Sequence, residues 1–135
     1  MQNLTKFLFV SHGELSKAMI SSAEMIAGDQ SEAIEAIGLY KNENPELLEQ
    51  RIRCFLEINI EQDVLVFTDL VSGTPFNVVG SLMQEYSFGH ISGINLALLL
   101  EALLSRDDMT VKELLDHLTE VFPSSVMNVN ALMGS

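Results

Sequence analysis

Apolar and polar positions switch between two periods along this chain, and the switches mark its elements. Phe7-Leu8-Phe9-Val10 is a solid apolar run, which predicts a strand buried on both faces. It runs into Ser11-His12-Gly13, where glycine lets the backbone turn sharply or approach a ligand. Leu15, Ala18, Met19, Ser22, Met25 and Ile26 then recur at a helical period and predict a first helix with that face inward, ended by Gly28-Asp29-Gln30. Residues 33–39 read as a second strand whose mixed polarity suits a sheet edge. Asn44 followed by Pro45 fits a cap and first helical residue, and Leu48, Ile52, Phe55 and Leu56 give that second helix a buried stripe.

Val64-Leu65-Val66-Phe67-Thr68 is the clearest strand in the chain, and the loop of residues 69–77 follows it. In that loop Thr74-Pro75 again reads as cap and first helical residue, opening a third helix that buries Val78, Val79, Leu82 and Met83. Residues 88–94 form a weaker fourth strand with two glycines. Asn95 caps a fourth helix that is apolar nearly all round (Leu96, Leu98, Leu99, Leu100, Leu103, Leu104), a pattern that calls for cover on several sides and points to a dimer contact. Thr110-Val111-Lys112-Glu113 is a capping box for a fifth helix, which Pro123 stops. Residues 127–131 alternate with period two and predict a short C-terminal edge strand.

Strands alternating with helices predict right-handed crossovers, and hence an α/β, doubly wound, mostly parallel sheet with helices on both faces. A strand order of 2-1-3-4 puts the chain's switch point between strands 1 and 3. His12 ends the first of these and Asp69 the second, so topology alone brings the two residues to one crevice.

Composition narrows the function. The 135 residues form a single domain, 1–135, with no repeat or linker. A net charge of −12 makes nucleic acid and anionic membrane surfaces poor partners, and any anion would need local donors. The longest apolar run, residues 96–100, is too short to span a bilayer. The first fifteen residues contain Lys6, His12 and Glu14 and no cleavage-like site, so a cytoplasmic protein is expected. Cys54 is the single cysteine; it reads as a buried or part-buried structural thiol on the second helix.

An imidazole paired with a carboxylate has a fixed tautomer: one ring nitrogen donates to Asp69, and the other presents its lone pair as a nucleophile. Ser72, Gly73 and Thr74, at a helix N-terminus, offer amides and hydroxyls to phosphoryl oxygens. His12 could thus hold a phosphoryl group. Each residue also has a plainer reading: a hydrogen-bonded histidine, a loop carboxylate, a turn serine, a capping threonine. Rival chemistries fit less well. Ser11 and His12 are adjacent on a strand and point oppositely. There is no G-x-S-x-G elbow, G-x-G-x-x-G fingerprint or P-loop motif. No metal or cofactor is expected, because His90 is placed at the opposite sheet end and His117 on the fifth helix, both structural or solvent-facing.

The stretches Ser11-His12-Gly13-Glu14-Leu15-Ser16 and Asp69-Leu70-Val71-Ser72-Gly73-Thr74-Pro75-Phe76-Asn77 resemble the enzyme IIA component of the mannose-type bacterial phosphotransferase system. Gly93-Ile94-Asn95-Leu96 resembles the stretch before that family's fourth helix, and length and element order agree along essentially the whole chain. The resemblance implies that His12 accepts phosphoryl from HPr and passes it to an enzyme IIB, which acts with membrane components IIC and IID in sugar uptake. It implies Asp69 as the partner carboxylate, Thr74 as the hydroxyl at the phosphoryl group, and a homodimer, in some members with an exchanged C-terminal strand. Where the family usually has Gly-Gly-Ser, this chain has Ser72-Gly73-Thr74; threonine keeps the hydroxyl, while Ser72 restricts the backbone. Two alternatives stand beside this: a regulatory or anion-sensing module of the same fold, and the phosphocarrier subunit of a dihydroxyacetone kinase, which shares the histidine but not the Gly-x-Pro-x-Asn loop.

Overall fold

A computed structural model describes residues 4–134. Its elements are β1 (Lys6–His12), α1 (Leu15–Ala27), β2 (Ile34–Leu39), α2 (Pro45–Ile58), β3 (Val64–Thr68), α3 (Thr74–Leu82), β4 (Gly89–Ser92), α4 (Leu96–Ser105), α5 (Val111–Val121), a 3-10 turn (Phe122–Ser125) and α6 (Val129–Leu132). The four strands form one sheet in the order β2-β1-β3-β4, and every pairing is parallel. This is the doubly wound α/β sheet that the alternation predicts.

Period two in the strands sorts the core into two halves. Phe7, Phe9, Leu65 and Phe67 face α1, α4 and α5, while Leu8, Val10, Val64 and Val66 face α2 and α3. Phe67 takes Phe7 and Phe9 edge-on, with ring centroids 5.3 and 6.2 Å away. β1 and β3 have helices on both faces, which is why their runs are continuously apolar. β2 lies at an edge, as its mixed polarity predicts. Asn44 and Asn95 cap α2 and α4, each side chain accepting an amide three residues on, and the Thr110–Glu113 capping box is complete.

Several expectations change. Residues 127–131 are not a strand. The Asn128 side chain accepts the Ala131 N–H and turns the backbone into α6; an alternating pattern becomes a strand only where a sheet edge takes it up. On α1 the inward face is Ser16, Met19, Ile20 and Ala23, whereas Leu15, Met25 and Ile26 are exposed. Serine and alanine let α1 lie close to its neighbours, so the greasier side is left outside. Cys54 is exposed, because it falls beside the stripe of Leu48, Ile52, Phe55 and Leu56 rather than in it. Much of the cover that α4 calls for comes from within the chain, from α1, α5 and the sheet; Leu104 stays outside. β4 is only four residues long, so His90, level with Val66, is not at a remote end.

Candidate active site

The site is assembled where β1 and β3 end side by side. Val10 is level with Thr68, so His12 and Asp69 follow at the carboxyl edge of two hydrogen-bonded neighbours. Asp69 Oδ2 lies 2.9 Å from His12 Nδ1 and also accepts the His12 backbone N–H at 2.9 Å. The second carboxylate oxygen, Oδ1, accepts the Leu70 N–H at 3.1 Å. A carboxylate only accepts, so the ring hydrogen sits on Nδ1 and the Nε2 lone pair faces outward. The Asp69 side chain is 6% exposed and that of His12 47%: the partner is shielded while the ring is open.

Ser11 points the other way, as strand geometry requires, and is fully buried. Its Oγ accepts the Ser16 N–H at 2.8 Å and so secures the first turn of α1. The Gly13 N–H donates to the Leu39 carbonyl at 2.7 Å, tying the turn after His12 to the end of β2. Gly38 makes this possible, since a Cβ there would lie 2.3 Å from the Gly13 carbonyl oxygen.

The opposite wall is the turn before α3. Ser72 and Gly73 both take positive φ, 71° and 98°. A Cβ on Gly73 would come within 3.4 Å of His12 Cε1 and 3.8 Å of Nε2, so this turn lies against the free edge of the ring. The N-cap of α3 is Gly73, not Thr74, which is the first helical residue. No side chain caps the helix, so its first-turn amides are not closed off by a side-chain acceptor. Thr74 is partly buried, and Ser72 is exposed. His12, Asp69 and Gly73 therefore converge, with Ser72 and Thr74 on either side of Gly73 in the chain and Gly13 directly after His12.

Residues 6–119 match the protein family described as the PTS system fructose IIA component, EIIA-man. The chain belongs to the EIIA-man family. Among relatives, the fructose-specific EIIA component of Bacillus subtilis is 33% identical over 79% of this chain and 74% of its own. The sorbose-specific EIIA component of Lacticaseibacillus casei is 28% identical over 86% and 84%. The crystal structure of a phosphotransferase system EIIA component from Streptococcus agalactiae superposes with a TM-score of 0.84 at 31% identity, covering 95% of this chain and 99% of that one. A mannose/sorbose-specific IIA subunit from Enterococcus faecalis gives 0.85 at 28% identity, covering 93% and 94%. This EIIA chain is thus a phosphoryl carrier of a sugar phosphotransferase system, a transferase component. No helix among the described residues is long and apolar enough to cross a membrane.

Two features of this EIIA site escape sequence reasoning. One is the Ser11 anchor; the other is a polar ladder beneath α3. Thr68 Oγ1 donates to Ser92 Oγ at 2.7 Å and meets His90 Nε2 at 2.8 Å. Burial pushes the His90 imidazole down to about 4, so it is neutral near pH 7. The equal register of Thr68 and Ser92 was the available signal, but it needs the start of β4 to be known. His117 lies apart on α5, 2.7 Å from Glu101 of α4.

The Gly73 geometry sets a test. Gly73→Ala forces a side chain into a backbone region that is essentially glycine's own (φ 98°, ψ 171°), at a cost of about 1–2 kcal/mol, and sets its Cβ in van der Waals contact with the ring. The expected result is a melting temperature lower by about 3–6 °C and slower phosphorylation of the folded protein; an unchanged rate would mean that this turn does not approach the phosphoryl group.

Proposed function

We propose that His12 is the residue that carries the phosphoryl group, accepting it from HPr and passing it to an enzyme IIB that works with IIC and IID in sugar uptake. The observation that carries this reading is the 2.9 Å contact from Nδ1 to Asp69, which leaves Nε2 free against the Gly73 turn. The Nε2 lone pair attacks phosphorus, and a new N–P bond forms as the donor's bond to phosphorus breaks, its electron pair returning to the donor. The ring becomes positive, and Asp69 stabilises it. The amides and hydroxyls of Ser72, Gly73 and Thr74 take the equatorial oxygens, the largest task in such a transfer. Gly13 supplies the turn that presents the ring.

A relative named as a mannose-specific EIIAB component, from Escherichia coli, is 30% identical over 73% of this chain and supports a IIB partner. Relatives named for fructose, sorbose and mannose do not single out one sugar. Residues 1–135 act as one domain in the cytoplasm, where such a carrier meets its protein partners. The working form is a homodimer, supported by the apolar surface that the tail leaves exposed: Val126, Met127, Val129, Leu132 and Met133.

Incubation with phosphoenolpyruvate, enzyme I and HPr should leave an acid-labile label on the protein. His12→Ala should abolish it, while His90→Ala and His117→Ala should still reach full labelling; label on His12→Ala would sink the assignment. Asp69→Asn should keep the fold yet slow transfer roughly 10- to 100-fold, if a charge-assisted hydrogen bond of about 1.5–3 kcal/mol acts in the transition state. Its rate should be read beside thermal unfolding, and an unchanged rate would remove Asp69 from the mechanism. Light scattering should give twice the chain mass at micromolar concentration, and a monomer would refute the dimer.

A further inference from the structure

The phosphoryl site has two walls, the end of β3 carrying Asp69 and the first turn of α3 carrying Gly73 and Thr74. One side chain touches what lies behind both. His90 reaches Thr68, the residue before Asp69, with Nε2 at 2.8 Å from Oγ1. Its ring also packs on that of Phe76, two residues after Thr74, at a centroid distance of 5.4 Å and an interplanar angle of 46°. The Thr68 hydroxyl both donates and accepts, so it bridges His90 Nε2 and Ser92 Oγ at once. The backbone closes the same corner, as the Gly93 N–H donates to the Thr68 carbonyl at 3.0 Å.

We propose that His90 is a positioning residue for phosphoryl transfer: by holding Thr68 through a hydrogen bond and Phe76 through its ring, it fixes the spacing of the two walls around His12. The inference rests on the reading of His12 as the carrier residue. His90 touches no reacting atom. It acts through Thr68 on Asp69, and through Phe76 on the turn that faces Nε2. Being neutral, it does this without adding a positive charge that would compete with His12 for the Asp69 carboxylate. Filling the corner is not enough on this view. An apolar side chain would occupy the space, and Thr68 would keep Ser92, yet the hydrogen bond that ties Thr68 to the ring packed on Phe76 would be gone.

The test uses the full chain with His90→Leu and His90→Gln. Glutamine places an amide donor near the position of Nε2; leucine fills volume and donates nothing. Single-turnover phosphorylation by phospho-HPr, thermal unfolding and amide spectra of Gly73 and Thr74 are measured on each. His90→Leu is expected to reach full labelling at a rate reduced roughly 10- to 100-fold, the scale of a small misplacement of reacting groups. The Gly73 and Thr74 amide signals should shift. His90→Gln should recover most of the rate and return those signals toward wild type.

A wild-type rate in His90→Leu would overturn the proposal. So would equal losses in both variants that follow the folded fraction. If His90→Leu does not fold, ring-nitrogen spectra decide: the His90 Nε2 signal must move when Thr68→Val removes the hydroxyl, and an unmoved signal refutes the hydrogen bond on which the proposal stands. Failure of the His12 reading looks different, since wild-type protein would then take no label on His12 whatever stands at position 90.

Discussion

The parallel pairing of β1 with β3 is the constraint on which the rest depends. It places two strand ends, His12 and Asp69, 57 residues apart in sequence, within one hydrogen bond of each other. Both strands are sealed on both faces by the two halves of the core, so neither can slip by one residue without turning its phenylalanines to the wrong side. The large rings of Phe7, Phe9 and Phe67 that fill one half thus also fix the level at which His12 and Asp69 emerge. Stability and chemistry share the same register.

Around that pairing, the site is built largely from backbone. Asp69 is held by its own neighbour's amide and by the amide of the residue it orients. The facing turn offers the start of an uncapped helix and two successive residues at positive φ. Such a site is rigid because its parts are tied to strand ends. It can tolerate a strongly acidic protein because its donors act at short range, where fixed dipoles outweigh the distant net charge.

Much of this is legible in the sequence, and most of the parts that are not share a cause. Continuous apolar runs identify β1 and β3, and capping residues mark α2, α4 and α5, since both signals are local. His12, Asp69 and the turn at Gly73 follow from where the strands end. By contrast, the inward face of α1 is set by how closely it packs on β2 and α4, and only small residues such as Ser16 and Ala23 fit there. The tail alternates like a strand, but Asn128 offers a closer hydrogen-bond partner than any sheet edge does. His90 becomes meaningful only when β4 is known to be four residues long, with Ser92 level with Thr68 and His90 level with Val66. Apart from the tail, which a local side-chain bond turns, each miss is a decision made by tertiary neighbours rather than by the local pattern.

One oxygen, Asp69 Oδ2, receives both the backbone N–H and the ring N–H of the same histidine. The imidazole is thereby fastened to its own main chain and cannot swing between two stations, as a carrier on a flexible arm would. On the proposal that His12 is the carrier residue, a cargo loaded on the open edge must be unloaded from that same edge. Any donor and any acceptor must therefore dock in turn on one overlapping footprint, each excluding the other. Traffic through this protein is a relay with a single berth, in which departure of one partner is a required step before the next can arrive.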